Sequence, residues 1–188
     1  MDFKHEFGTV DLILNTDFET RGVDAFILSL IKIEKQLRRI FTHLVYQHSS
    51  YSTKDINELK SALETNKRMY FDSFILGINK ISNSTIKDLY GEAYEEDLVS
   101  LNKYKNYRNK IFHGQLTSEK LSRKDLIECV DDMKKWSERV AHVFTININY
   151  DGFKRNSYHK STKTIILKNM SDFESIEAYK NLLNEISR

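Results

Sequence analysis

The chain has 188 residues, a formal net charge of +2 and a single cysteine, Cys129. This length favours one domain that buries its own hydrophobic core, and one cysteine excludes an internal disulfide framework and a cysteine-based zinc site. The helical pattern around Cys129 predicts that it is a small buried hydrophobic residue. No proline occurs, which is typical of a protein built mainly from long helices because proline breaks helix interiors.

The N-terminus predicts no secretion signal, because a basic region followed by a long apolar run is missing. No stretch of about eighteen apolar residues predicts a membrane span. We therefore expect a cytoplasmic protein without a membrane partner. The small net charge neither requires nor excludes a nucleic-acid partner, so local charge clusters decide that question.

Apolar periodicity predicts the helices of the first half of the chain. Residues 19–48 repeat apolar side chains at intervals of three and four, as one buried helix face requires. A second helix is predicted to begin near Thr53 and to break near Asn66. A short helical turn over residues 86–90 is expected to end at Gly91.

Capping residues predict where the later helices begin and end. A third helix is expected to start near Tyr94 and to end before Gly114, a residue type that commonly follows helix C-termini. Ser122 followed by Asp125 is a variant of the capping box and predicts the start of the next helix. Ser171 is expected to cap a last helix.

The pattern weakens after residue 145. FTININYDGF, residues 144–153, alternates apolar and polar residues and contains Asp-Gly, which favours a tight turn. TKTIILK, residues 162–168, is the candidate partner strand of a β-hairpin. The predicted fold is an all-α antiparallel bundle of four to six helices. Residues 1–188 would form a single domain with a helical core over 18–147 and a small appendage, carrying the hairpin and the last helix, over 148–188.

One segment concentrates positive charge. KYKNYRNK, residues 103–110, holds four basic side chains, no carboxylate and two interleaved tyrosines. The basic residues are Lys103, Lys105, Arg108 and Lys110, and the tyrosines are Tyr104 and Tyr107. This pattern fits a nucleic-acid contact, but a solvated helix face with aromatic edges explains it equally well.

Arg108 occupies an unexpected position on the third helix. On a wheel of about 100° per residue, it falls inside an apolar arc of about 140°. The apolar members of that arc are Tyr94, Leu98, Leu101, Tyr104, Ile111 and Phe112. An inward guanidinium needs a carboxylate, a phosphate or a cleft, because burying it unpaired is costly. Two alternatives are that Arg108 extends to solvent beside the helix end or forms a purely structural salt bridge.

Glu34, on the first predicted helix, is a second charged residue that falls inside an apolar arc. It falls within the apolar arc there, where an acid is unusual, and Arg38 follows it one turn later. An ion pair between Glu34 and Arg108 would explain both inward charges. The alternative is that Glu34 pairs only with Arg38.

The stretch NYRNKIFHG, residues 106–114, carries a resemblance to a known family. Arg108 is followed by the polar Asn109, and His113 lies five residues after Arg108, next to Gly114. This arrangement resembles the HEPN family, helical proteins whose ribonuclease members carry R-x4-6-H with a polar residue after the arginine. The resemblance covers residues 18–147. It departs at Gln115, where toxins paired with a minimal nucleotidyltransferase antitoxin tend to have tyrosine.

The resemblance implies a metal-independent endoribonuclease, a toxin or antiviral defence effector, with Arg108, Asn109 and His113 as catalytic residues. Cleavage by the 2′-hydroxyl of RNA needs proton transfer, which histidine suits, and positive charge on the phosphate, which arginine supplies. No metal or cofactor is expected. The single motif histidine of one subunit is poorly suited to act as both the base and the acid. In the HEPN family, a homodimer brings two copies of the motif together.

Supporting roles are assigned by proximity. Glu34 and Arg38 would support the catalytic residues, while Lys105, Tyr107 and Lys110 would line the approach of RNA. An antitoxin or another regulatory protein is a further expected partner. The alternative function is a non-catalytic module of the same fold that binds a nucleotide, RNA or a protein partner.

The spacing of arginine and histidine alone is not specific. Arg38 and His43, in RRIFTH, have the same separation. A second arginine follows Arg38, no glycine follows His43, and the pair lies in the middle of a predicted helix. His43 points away from the apolar arc, so we predict that it is a surface residue.

Overall fold

A computed structural model describes residues 3–114, 121–154 and 156–187. Within these ranges the chain forms eight α-helices and no β-strand, which confirms the all-α class but exceeds the expected four to six helices. In chain order the helices are α1 (Phe3–Leu14), α2 (Arg21–Tyr46), α3 (Ile56–Thr65), α4 (Phe71–Ile81), α5 (Ile86–Tyr90), α6 (Tyr94–Phe112), α7 (Arg123–Ile148) and α8 (Ile176–Ile186). No helix in the described residues is both long enough and apolar enough to cross a membrane.

Side-chain capping explains where α5, α7 and α8 begin. The predicted break at Asn66 separates α3 from α4. Ser122 and Asp125 form a capping box at the start of α7, with Ser122 Oγ accepting from the Asp125 N–H at 3.2 Å and the Asp125 carboxylate accepting from the Ser122 N–H at 2.7 Å. The prediction that Ser171 caps the last helix is wrong. Ser175 caps α8, and Ser171 lies inside a preceding 3₁₀ turn.

The long helix α2 is the centre of the molecule. It packs against α1, α4 and α7, while α8 packs across α3 and α4. Phe7 of α1 and Ile186 of α8 belong to the same hydrophobic core as the residues of α2. Both ends of the described chain therefore contribute to one core. Cys129 is buried, as its helical pattern predicts.

The predicted hairpin after residue 145 is wrong. Helix α7 continues through Ile148, and Phe144 and Ile148, one turn apart, are both buried, whereas Ile146 between them is exposed. A short alternating pattern does not separate a strand from a helix, because residues four apart share a face in both. Buried residues at positions i and i+4 therefore fit one face of a helix equally well. The candidate partner strand, residues 162–168, does not pair as a strand with residues 144–153, all of which the structure describes. In the described residues, its strand-like pairing is limited to an isolated antiparallel bridge between Ser82 and Leu167.

Residues 150–154 and 156–161 cross α2 without regular secondary structure. Gln36, fully buried on α2, donates to the carbonyls of Ser137 at 3.0 Å and Asp151 at 3.1 Å, and accepts from the Ser137 hydroxyl at 2.7 Å. Gly152 has φ +83°, and a Cβ built there would lie 2.9 Å from the Gln36 carbonyl oxygen. Only glycine permits this approach without strain.

The same segment buries His43, so the prediction of a surface histidine is wrong. His43 is 0% exposed and its Nδ1 lies 3.0 Å from the Ser157 carbonyl oxygen. The rings of Tyr150 and His159 pack against the His43 ring, at centroid distances of 4.4 and 4.6 Å. Burial lowers the pKa of His43 to about 4. The wheel of α2 could not reveal this contact because its partners come from more than one hundred residues away.

Candidate functional site

The predicted site residues lie where α6 approaches α2 and the N-terminal end of α4. Arg108 Nη1 lies 3.8 Å from Glu34 Oε2, and the two side chains are 24% and 30% exposed. Of the two alternatives for Glu34, pairing with Arg108 is therefore present, as a long contact rather than a close bidentate one. The Arg108 guanidinium reaches α2 and stays partly exposed, so Arg108 is less buried than its place in the apolar arc suggests.

Glu34 is held by more than Arg108. The N–H of Phe71, in the first turn of α4, donates to its carboxylate, and a helix N-terminus favours negative charge. Burial nevertheless raises the pKa of Glu34, since the loss of solvation outweighs the opposing attraction of Arg108 and Arg38. Glu34 thus lies between two cations, where it can fix the position of the Arg108 guanidinium.

The Asn109 side-chain oxygen binds Arg108 rather than His113. Its Oδ1 accepts from Arg108 Nε at 3.3 Å and from Nη2 at 3.1 Å. The guanidinium is therefore bracketed by Asn109 on its own helix and Glu34 on α2.

The end of α6 presents His113 to solvent. His113 is exposed, and its backbone N–H donates to the Asn109 carbonyl at 3.1 Å. Gly114 follows with φ +62°, and its N–H donates to the Ile111 carbonyl at 3.1 Å, so glycine ends the helix as predicted. Phe112, placed in the apolar arc by the wheel, is instead 63% exposed. Ile111, in the same turn, is half-buried and packs against the core, so the last turn of α6 directs Phe112 towards solvent instead. Gln115 lies outside the described residues.

Lys105 joins two helices instead of facing solvent. Its ammonium lies 2.5 Å from Asp72 Oδ1 and 4.8 Å from the centroid of the Phe71 ring. Its side chain is 17% exposed, so contact with RNA would compete with Asp72. The sequence pattern missed Asp72 entirely, because its partner is 33 residues away and only helix packing brings them together.

Tyr107 and Lys110 border a shallow groove along α6. The groove has a volume of about 550 Å³ and also includes Lys103 and Asn109. Tyr107 is only 4% exposed and the Lys103 ammonium lies 5.5 Å from its ring centroid, so little of the ring is left on which a base could stack. Lys110 lines this groove beside Asn109, and its RNA-binding role stays a prediction.

Arg38 extends away from the Arg108 contact. It is exposed on α2 one turn after Glu34, attracts that carboxylate, and borders a separate cavity. The structure thus brings Glu34, Arg108 and Asn109 into direct contact, with His113 one turn later on α6. Arg38 contributes charge at the border of this group.

The described residues contain no group of three or more histidine, cysteine, aspartate or glutamate side chains placed to hold a metal ion. Comparisons of the chain with models of known protein families, with curated proteins and with solved structures gave no match.

Proposed function

We propose that this protein is a metal-independent endoribonuclease of the HEPN type, acting as a toxin or antiviral defence effector. The observation that carries the proposal is the end of α6, where a half-exposed arginine is fixed between Glu34 and Asn109 and an exposed histidine follows. An arginine held by a carboxylate and an amide keeps a defined direction while one face remains open to an anion.

The proposed reaction uses the nucleophile of the RNA itself. His113 takes the proton of the 2′-hydroxyl, the 2′-oxygen attacks the adjacent phosphorus, and the bond to the 5′-oxygen breaks. The leaving oxygen gains a proton, so the products end in a 2′,3′-cyclic phosphate and a 5′-hydroxyl. Arg108 stabilises the negative charge of the pentacoordinate phosphorane.

A homodimer would complete the acid–base pair. His113 of one subunit would serve as the base and His113 of the other as the acid. The exposed Phe112, next to His113, supports this arrangement because a large apolar side chain beside the site favours burial against a second copy. Phe112→Glu should therefore convert a dimer to a monomer in light scattering and abolish cleavage together with it.

The experiment is incubation of the purified protein with total RNA and EDTA, followed by analysis of fragment ends. We expect fragments with 2′,3′-cyclic phosphate ends, and we expect Arg108→Ala and His113→Ala to lose at least about a hundredfold in rate. His142→Ala and Arg68→Ala, at exposed positions outside the site, are matched controls that should cleave normally.

Circular dichroism should show the same helix content in every variant. Cleavage by His113→Ala at the parental rate would refute the assignment. RNA binding without cleavage by the unaltered protein would instead favour a non-catalytic module of this fold.

A further inference from the structure

A second concave site lies on α2 beside the candidate site. It encloses about 560 Å³ between α2, α3 and the irregular segment at residues 157–158. Small-molecule sites typically have volumes of about 300–1,000 Å³, so this cavity is large enough for a nucleotide. It borders the candidate site because Arg38, on its rim, lies one helical turn from Glu34.

The lining of this cavity is strongly positive. Four lining residues are basic, namely Arg38, Arg39, Lys60 and Lys67, and one is acidic, Glu64. The cavity therefore has a surplus of three positive charges, more than the net +2 of the whole chain. Cations gathered in a concave surface focus the potential and attract an anionic ligand.

Three of these cations are available to a ligand. In the described part of the chain, Arg38, Lys60 and Lys67 form no ion pair with a carboxylate. Arg39 is fixed at the back, where its Nη1 donates to the Phe153 carbonyl at 3.1 Å. Glu64 offsets one of the four basic charges and Arg38 attracts Glu34, but a surplus of positive charge remains, which a phosphate can bind with charge-assisted hydrogen bonds.

Part of the remaining lining is apolar and suits a base rather than a phosphate, alongside the polar Thr42, Asn66 and Ser157. Leu63, Met69 and Phe74 provide an apolar floor, and the Tyr158 ring lies beside Lys60, whose ammonium is 5.5 Å from the ring centroid. Burial raises the pKa of Tyr158 to about 12, so its hydroxyl remains a hydrogen-bond donor at neutral pH.

We propose that this cavity binds a nucleoside phosphate, with the phosphate between Arg38, Lys60 and Lys67 and the base over the apolar floor. The ligand is either a free nucleotide or one nucleotide of an RNA strand, since both present the same chemistry. The site is distinct from the end of α6 and does not depend on cleavage by the protein.

Isothermal titration calorimetry of the full-length protein tests this with four probes. These are UMP, ATP, a 5′-phosphorylated uridine tetranucleotide with 2′-O-methyl groups, and pyrophosphate. The 2′-O-methyl groups prevent attack by the 2′-oxygen, so the result is independent of the proposed nuclease activity. Binding of the free nucleotides over the tetranucleotide identifies a nucleotide site, and the reverse preference identifies a strand site.

The double variant Lys60→Gln/Lys67→Gln should weaken binding of the best probe by about tenfold or more. Lys124→Gln/Lys135→Gln removes the same charge from exposed positions on α7, 85% and 76% exposed, and should bind normally. Unchanged thermal unfolding of both variants excludes a folding defect.

Three results would overturn the proposal. The first is no saturable binding of UMP, ATP or the tetranucleotide up to about 1 mM. The second is equal affinity of the Lys60→Gln/Lys67→Gln variant and the parent, or an equal loss in the α7 control. The third is pyrophosphate binding as tightly as the nucleotides, which would leave the apolar floor without a role.

Discussion

Acidification should destabilise this protein through His43. The imidazole is fully buried, and burial lowers its pKa from about 6.5 to about 4. The Ser157 carbonyl opposes this shift, while His159 and Lys160 add to it by repulsion. Between these two pKa values the unfolded chain binds a proton that the folded protein does not. The contribution to stability is therefore complete above pH 6.5 and is lost as the pH falls towards 4.

The size of the effect follows from the pKa difference. A shift of about 2.5 units corresponds to about 3 kcal/mol in total, and about 2 kcal/mol of this is lost between pH 7.5 and 5.0. For a chain of this length such a loss lowers the unfolding temperature by about 4–8 °C. Urea unfolding followed by the fluorescence of Trp136, the only tryptophan and a buried one, measures the free energy directly.

His43→Asn is the matched variant. Asparagine cannot titrate, and its amide can still donate to the Ser157 carbonyl in place of Nδ1–H. Carboxylates and His48, whose pKa burial also lowers, act in both proteins and cancel in the difference. The variant should lose about 2 kcal/mol less than the parent between pH 7.5 and 5.0. Equal losses in the two proteins would refute the reasoning.

Two further substitutions probe the residues around α2. Glu34→Gln should change stability by less than about 1 kcal/mol in urea unfolding, because a half-exposed ion pair contributes little. The same change should slow RNA cleavage by about tenfold or more, because it frees Arg108 from its fixed direction; an unchanged rate would remove Glu34 from the site. Gln36→Leu should cost about 2 kcal/mol in urea unfolding, since it leaves buried partners unsatisfied. Gln36→Glu keeps the side-chain volume but loses the amide donor, so its free energy of unfolding at pH 5 and 7.5 distinguishes lost hydrogen bonds from lost volume. An unchanged free energy of unfolding for Gln36→Leu would contradict the assigned contacts.

The candidate site was predicted in part from the sequence. The inward placement of Glu34 and Arg108 on their wheels made their contact one of two alternatives, the other being a pair of Glu34 with Arg38 alone, and the structure shows the contact with Arg108. The wheel did not predict how far Arg108 projects, nor that Asn109 would bind it. Lys105 looked like one of several solvent-facing cations, and its position against Asp72 depends on how α4 meets α6.

The sequence by itself determined the positions of α2, α5 and α6, the break at Asn66, the capping box at Ser122 and the glycine at the end of α6, but it did not predict α1. Each of these depends on residues within about four positions, where hydrogen bonding and side-chain spacing are local. Tertiary structure alone decided that α7 continues through Ile148 and that His43 is buried. Both depend on which distant surface covers a helix face, and that is set by packing across the chain rather than by the neighbouring residues.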